Sequence, residues 1–152
     1  MGTRSNIAIE QEDGSVKVAY CHYDGYVEHN GIILLNHYWG EKKAQELVDN
    51  GYASSLSSTL EEINDGRVHK DKPDTYRSLG NYMSWHVDPV YIEYIYLWRD
   101  DEWQVSRSMV YDTPDGFTKS QCYHTAFKPL HEEFWLEKSN TTTWGVLYPK
   151  AQ

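Results

Sequence analysis

Val90-Tyr91-Ile92-Glu93-Tyr94-Ile95-Tyr96-Leu97-Trp98 carries a single charge, Glu93, in a run of β-branched, aromatic and leucine side chains. Apolar groups occur at both parities, so the strand this run predicts is buried on both faces and central in its sheet. Arg99-Asp100-Asp101-Glu102 turns the chain. Residues 103–110 then return as a strand, with Trp103, Val105 and Arg107 in alternation.

Working outward toward the N-terminus, residues 15–23 alternate, with Val16, Val18 and Tyr20 on one side and Lys17 and Ala19 on the other. Residues 5–10 place Ile7 and Ile9 on one face, and Glu12-Asp13-Gly14 lies between the two runs. This predicts an antiparallel hairpin. Toward the C-terminus, Pro114-Asp115-Gly116 reads as a turn. Residues 129–138 read as a short helix with Leu130, Phe134 and Trp135 inside, and 141–148 as a last strand.

The middle of the chain has helical signals. Asn30 is in the position of an N-cap for an apolar helix over 31–39. After Gly40, residues 41–49 carry Ala44, Leu47 and Val48 at helical spacing, and Asn50-Gly51 is a stop. Thr59 and Glu62 have capping-box spacing for a short helix that Asn64-Asp65-Gly66 ends. Residues 67–80 read as a polar surface loop holding Arg67, His69, Lys70, Lys72 and Arg77, a basic stretch in an acidic chain. The expected fold is α+β: a mainly antiparallel sheet of five or six strands, with two or three helices covering one face.

Composition bounds what such a fold can do. The 152 residues are expected to form one domain over 1–152, long enough to need no disulfide or metal for stability. With 23 acidic against 14 basic residues the net charge is -9. That field argues against a duplex nucleic-acid partner, whose phosphates require a basic face. The acids are scattered rather than arrayed in the dense stripe a DNA mimic would need. No run is apolar enough for a membrane span, and no membrane partner is expected. The two cysteines, Cys21 and Cys122, read as reduced, buried thiols of a cytosolic protein.

Residues 20–31, Tyr20-Cys21-His22-Tyr23-Asp24-Gly25-Tyr26-Val27-Glu28-His29-Asn30-Gly31, concentrate chemistry between a strand and a helix. His22, Asp24, Glu28 and His29 are competent metal ligands or acid–base groups. Their spacing matches no metal signature, no nucleophile motif accompanies them, and neither a catalytic residue, a metal nor a cofactor is assigned. Cys122 and His124 would have to meet Cys21 and His22 to make a Cys/His cluster. Arg4, Tyr23, Tyr26, Asn30 and Gly31 have the chemistry of a phosphate-plus-base pocket: a cation, two stacking rings and free backbone N–H groups at a helix start. The plainer reading has the rings filling the core edge and Arg4 paired with Asp24 or Glu28. Glu93, if buried on its apolar strand, would be a raised acid. The thirteen Tyr and six Trp exceed what a core of this size needs, so some of Tyr76, Tyr82, Trp85, Tyr111 and Tyr123 are expected at the surface, available to a partner or to a homo-oligomer.

The opening Thr3-Arg4-Ser5-Asn6-Ile7-Ala8-Ile9-Glu10, then Glu12-Asp13-Gly14, Tyr20-Cys21-His22-Tyr23-Asp24-Gly25-Tyr26, Glu28-His29-Asn30-Gly31, Leu34-Leu35 and His37-Tyr38, resembles a group of small bacteriophage-encoded proteins without assigned activity. The resemblance covers about the first 40 residues. It implies a viral origin and the host-cell cytoplasm, and it transfers no catalytic residue. Three functions are consistent with such a protein: a host-takeover or anti-defence protein that binds and inhibits a host protein, a sponge that sequesters a nucleotide signal, and a small metal- or His-dependent hydrolase.

Overall fold

The computed structural model describes residues 2–111, 121–137 and 146–150. The expected turn at Pro114-Asp115-Gly116 and the first half of the last strand lie outside them. The chain runs β1 (Ser5–Glu10), β2 (Val16–Cys21), a π-turn (Val27–Gly31) continuous with α1 (Ile32–His37), α2 (Glu41–Asp49), α3 (Leu60–Asn64), β3 (Asp74–Tyr76) and α4 (Leu79–Trp85). It continues through β4 (Tyr94–Arg99), β5 (Glu102–Tyr111), β6 (Gln121–His124), β7 (Lys128–Pro129), a 3-10 turn (Leu130–Glu133), β8 (Phe134–Glu137) and β9 (Val146–Pro149).

The fold is α+β, but the sheet is mixed rather than antiparallel throughout. Strand order is β3-β2-β1-β4-β5-β6, with β7 also on β5. β1 and β2 form the expected hairpin, Ser5 opposite Cys21 and Glu10 opposite Val16. β4 instead lies parallel to β1, with Ser5 beside Tyr94 and Ile9 beside Trp98. Parallel neighbours need a long crossover. The chain between β2 and β4, which carries four helices and the edge strand β3, supplies it.

β4 is central, as its sequence requires. Tyr96, Trp98, Trp103 and Val105 join Ile7, Ile9, Ala19 and Cys21 on one face, against Leu34 and Leu35 of α1, Ala44, Leu47 and Val48 of α2, and Ile63 of α3. Ile95 and Leu97 join Ala8, Val16 and Val18 on the other, under Tyr82 of α4 and Ile92. Helices therefore cover both faces. The stretch 67–80 read as a loop is corrected in part: it holds the edge strand β3 and the start of α4, which Ser78 caps by accepting from the Asn81 N–H.

Three further readings are corrected. The strand begins at Tyr94, because Asp88 folds 88–92 into a turn: its side chain accepts from the Val90 N–H at 2.9 Å and its carbonyl from Ile92 at 2.8 Å. Glu93 is therefore exposed. Residues 134–137 are a strand rather than a helix. Alternation then sends Phe134 into the core and leaves Trp135 outside, with the Lys150 ammonium 4.5 Å from its ring centre. Tyr82, counted among the candidates for exposure, is buried, and its hydroxyl accepts from Asn6 Nδ2 at 2.6 Å.

Gly51 ends α2 with φ +78°, and a Cβ there would run into the Asp71 carbonyl, which accepts from the Tyr52 N–H at 2.9 Å. Gly51→Ala should therefore lower stability by roughly 3 kcal/mol, strain plus a displaced backbone bond. Gly14, at φ +86° in open space, isolates the conformational part. Gly14→Ala should cost about 1 kcal/mol. Urea midpoints of the two variants check the difference.

The buried phenols predict alkaline unfolding. Burial raises the Tyr82 hydroxyl, drives that of Tyr96 well up, and pushes Tyr38 up to about 12, from an ordinary 10.0. Groups raised in the folded state contribute stability that is complete below pH 10 and is lost as pH climbs toward the folded values. Each deeply buried phenol, Tyr82 or Tyr96, should remove about 1.4 kcal/mol per pH unit in that window. The last part of the tyrosinate absorbance, from the buried phenols, should rise together with loss of circular dichroism. Complete tyrosinate formation with the fold intact would contradict it.

Candidate functional site

The segment after β2 is tied down residue by residue. The Cys21 thiol donates to the Tyr23 carbonyl at 3.4 Å. The Gly25 N–H donates to Thr3 O at 2.9 Å, and the Tyr96 hydroxyl donates to the Gly25 carbonyl at 2.5 Å. A Cβ on Gly25 would come within 2.8 Å of both Ser5 Cβ and Thr3 O, so glycine is needed for β1 to approach this closely. Asp24 sits at φ 59°, its carboxylate accepting from Tyr26 Oη at 3.3 Å and Ser55 Oγ at 3.2 Å. Asp24 has a longer-range effect too: its charge raises the Tyr26 phenol.

Asn30 is no cap. The helical segment starts at Val27, and the Asn30 N–H already donates to Tyr26 O at 3.0 Å. Its side chain is fully buried, donating to Ser5 Oγ at 3.1 Å, 3.5 Å from Cys21 Sγ, and pairing with His29 Nδ1 at 2.9 Å. Gly31 is buried against Leu130 and Phe134. The free helix start expected at Asn30-Gly31 is thus not formed. The chain enters the helix one turn earlier, because Val27 is drawn into the core and pulls the start of the helix with it. Asn30 and Gly31 become interior packing.

The ligating groups are dispersed. His22 Nδ1 meets the Tyr20 hydroxyl at 2.7 Å, while His29 packs edge-on to Tyr26. Glu28 is exposed in the first helical turn. Cys122 and His124 belong to β6, where the thiol donates to Pro89 O at 3.5 Å and His124 Nε2 donates to Ile92 O at 2.8 Å. Burial lowers the basicity of His124. These two do not join Cys21, whose thiol burial pushes up and whose bonds are to Tyr23 and Asn30. Among the described residues, no group of three or more His, Cys, Asp and Glu side chains is arranged to hold a metal ion.

Arg4 pairs with neither Asp24 nor Glu28. Its guanidinium lies 4.4 Å from the centre of the Tyr91 ring, and its Nε is buried without a hydrogen-bond partner. Tyr91 stacks beside Tyr20 at 6.3 Å, Tyr20 meets Tyr52 and His22 at 5.8 Å each, and Tyr52 meets His69 at 5.1 Å. His22 is edge-on to Tyr23 at 4.4 Å. Sequence reasoning singled out Arg4, His22 and Tyr23 but missed Tyr52, His69 and Tyr91. The shared parity of Tyr20, on β2, and His22, just past its end, was the available signal. The place of Tyr91 follows from the β1–β4 register, which no local pattern carries.

A second surface feature adjoins this ring cluster. The bonds from Cys122 and His124 fasten the 88–92 turn to β6, and Val110 of β5 pairs with Cys122. Val90, Val110 and Tyr91 are left 77%, 63% and 49% exposed at one end of the sheet. Met109 and Tyr123, paired across β5 and β6, are exposed as well.

No protein-family model, curated protein or solved structure matches this chain. No helix among the described residues is long and apolar enough to cross a membrane.

Proposed function

We propose that this chain acts by binding rather than by chemistry, as a phage host-takeover or anti-defence protein that captures and inhibits a host protein. The observation that carries this reading is the exposed apolar end of the sheet, Val90, Tyr91 and Val110, on segments sewn together by the Cys122 and His124 bonds. Exposed apolar groups on a rigid support are what an interface centre requires. A mobile loop would spend binding energy on ordering itself, whereas this turn is already fixed by five hydrogen bonds. The net charge of -9 favours a partner with a basic rim around an apolar centre. Association should then slow as salt screens the attraction.

The test is affinity capture from a bacterial host with the full chain and with the Val90→Asp, Val110→Asp double variant. Both positions are exposed, so the variant should keep its stability to within about 0.5 kcal/mol. The wild-type protein should retain a host polypeptide at fixed stoichiometry, and the variant should bind it about tenfold more weakly or worse. Equal retention by both proteins would refute the proposed surface. A second copy of this chain in place of a host polypeptide would make the surface a homo-oligomer interface.

A further inference from the structure

The geometry points to a phosphoryl-group site at Arg4 and His22, which adjoins the protein-binding surface at Tyr91 but rests on different residues. Arg4 is a cation in an unusual position. It is half-buried, no carboxylate pairs with it among the described residues, and Nε is buried without a hydrogen-bond acceptor. An acidic chain has many carboxylates to offer, yet none is placed here. Arginines that only stabilise a fold are usually paired or fully hydrogen-bonded, because a partly desolvated charge costs free energy. Stacking on Tyr91 holds the guanidinium in one orientation beside the Tyr20 hydroxyl, which it also engages, with no carboxylate on it among the described residues.

His22 lies across Tyr20 from that stack. His22 Nδ1 and the Tyr20 hydroxyl share a hydrogen bond at 2.7 Å, and in the tautomer in which the hydroxyl donates, the imidazole N–H is Nε2–H and can serve a ligand oxygen. The site thus offers a guanidinium fork and an imidazole N–H, both on a wall of tyrosine rings. A phosphate monoester presents three oxygens to such a pair, and the fork geometry suits it. The half-exposed Tyr23 and Tyr91 beside it suit an aromatic group attached to the phosphate, as in a nucleoside monophosphate.

Calorimetric titration of the intact chain with adenosine monophosphate and with inorganic phosphate tests this. Saturable binding of the nucleotide is expected, and Arg4→Gln should weaken it about tenfold. Arg77→Gln, which removes an exposed cation elsewhere, should leave it unchanged. Arg4→Lys keeps the charge without the planar fork and should fall between wild type and Arg4→Gln. Thermal unfolding shows that each variant is folded. Inorganic phosphate binding as well as the nucleotide would assign the site to the phosphoryl group alone, and tighter nucleotide binding would add the rings. No saturation by either ligand at millimolar concentration would overturn the inference, and so would equal losses in Arg4→Gln and Arg77→Gln. The Arg4 variants leave Val90 and Val110 unchanged, so the two proposals are tested by different substitutions.

Discussion

Trp103→Ala should cost about 3–5 kcal/mol, among the largest effects of a single substitution in this chain. The indole is fully buried where β5 crosses beneath the end of α1. It meets Trp98 edge-on at 5.6 Å and 76°, and Trp98 in turn meets Trp39 at 5.2 Å. Its Nε1–H donates to the Tyr38 carbonyl at 3.0 Å, at the residue where α1 stops. Truncation therefore opens a cavity between sheet and helix and leaves a buried carbonyl without its donor. Trp103→Phe separates the two terms. It retains most of the volume, so its deficit relative to wild type should be about 1–3 kcal/mol, chiefly the lost hydrogen bond. Chemical denaturation of the three proteins measures both. A loss below about 1 kcal/mol for Trp103→Ala would mean that α1 is not seated on β5 as described.

Asn30→Ala should cost about 2–4 kcal/mol. The side chain bridges three elements: the start of β1 through Ser5, the end of β2 through Cys21, and its own helical turn through His29. Removing it leaves the buried Ser5 hydroxyl without this donor and opens a void beside it. Asn30→Asp should be at least as damaging, because it places a charge in that pocket and replaces two donors with acceptors. Thermal unfolding checks both variants. The same pair bears on ligand binding. If Asn30 only supports the fold, whatever fraction of Asn30→Ala stays folded should bind adenosine monophosphate like wild type. Weakened binding by that folded fraction would return Asn30 to the ligand site.

Much of the fold is legible in the sequence because local rules act on contiguous residues. The β1–β2 hairpin follows from alternation across Glu12-Asp13-Gly14, with Asp13 accepting from the Ser15 N–H at 2.9 Å. α2 follows from the spacing of Ala44, Leu47 and Val48, all buried, and α3 from the Thr59 cap, which accepts from the Glu62 N–H. The apolar character of both faces of β4 is visible in Tyr94 to Trp98. Its parallel pairing is not, because the partner is set by the path of the helical crossover and not by any residue within the strand. Asp88 shows the limit in miniature: Val90 and Tyr91 have strand propensity, but one carboxylate upstream binds their backbone into a turn.

The site residues divide in the same way. Chemistry-bearing side chains are easy to find between residues 20 and 31, but the structure sends them to different partners. What it does with them depends on burial. Asn30 and Gly31 go inside and serve the core, while Arg4 and His22 stay at the rim beside rings from three other segments. Only the sheet register brings Arg4 and Tyr91 together, and only the β5–β6 pairing sets Val110 opposite Cys122, whose thiol reaches the turn that carries Val90 and Tyr91. Functional surfaces made by several strands leave no compact motif, which is why the segment that looks richest is mostly scaffold here.

The central claim, that a partner protein covers the Val90, Tyr91 and Val110 end of the sheet, is tested most directly by hydrogen–deuterium exchange of this chain with and without the captured polypeptide. Slower exchange confined to 88–92, 106–110 and 121–124 is the predicted result. Protection that leaves these segments unchanged and falls instead on α2, α3 or β3 would contradict the claim.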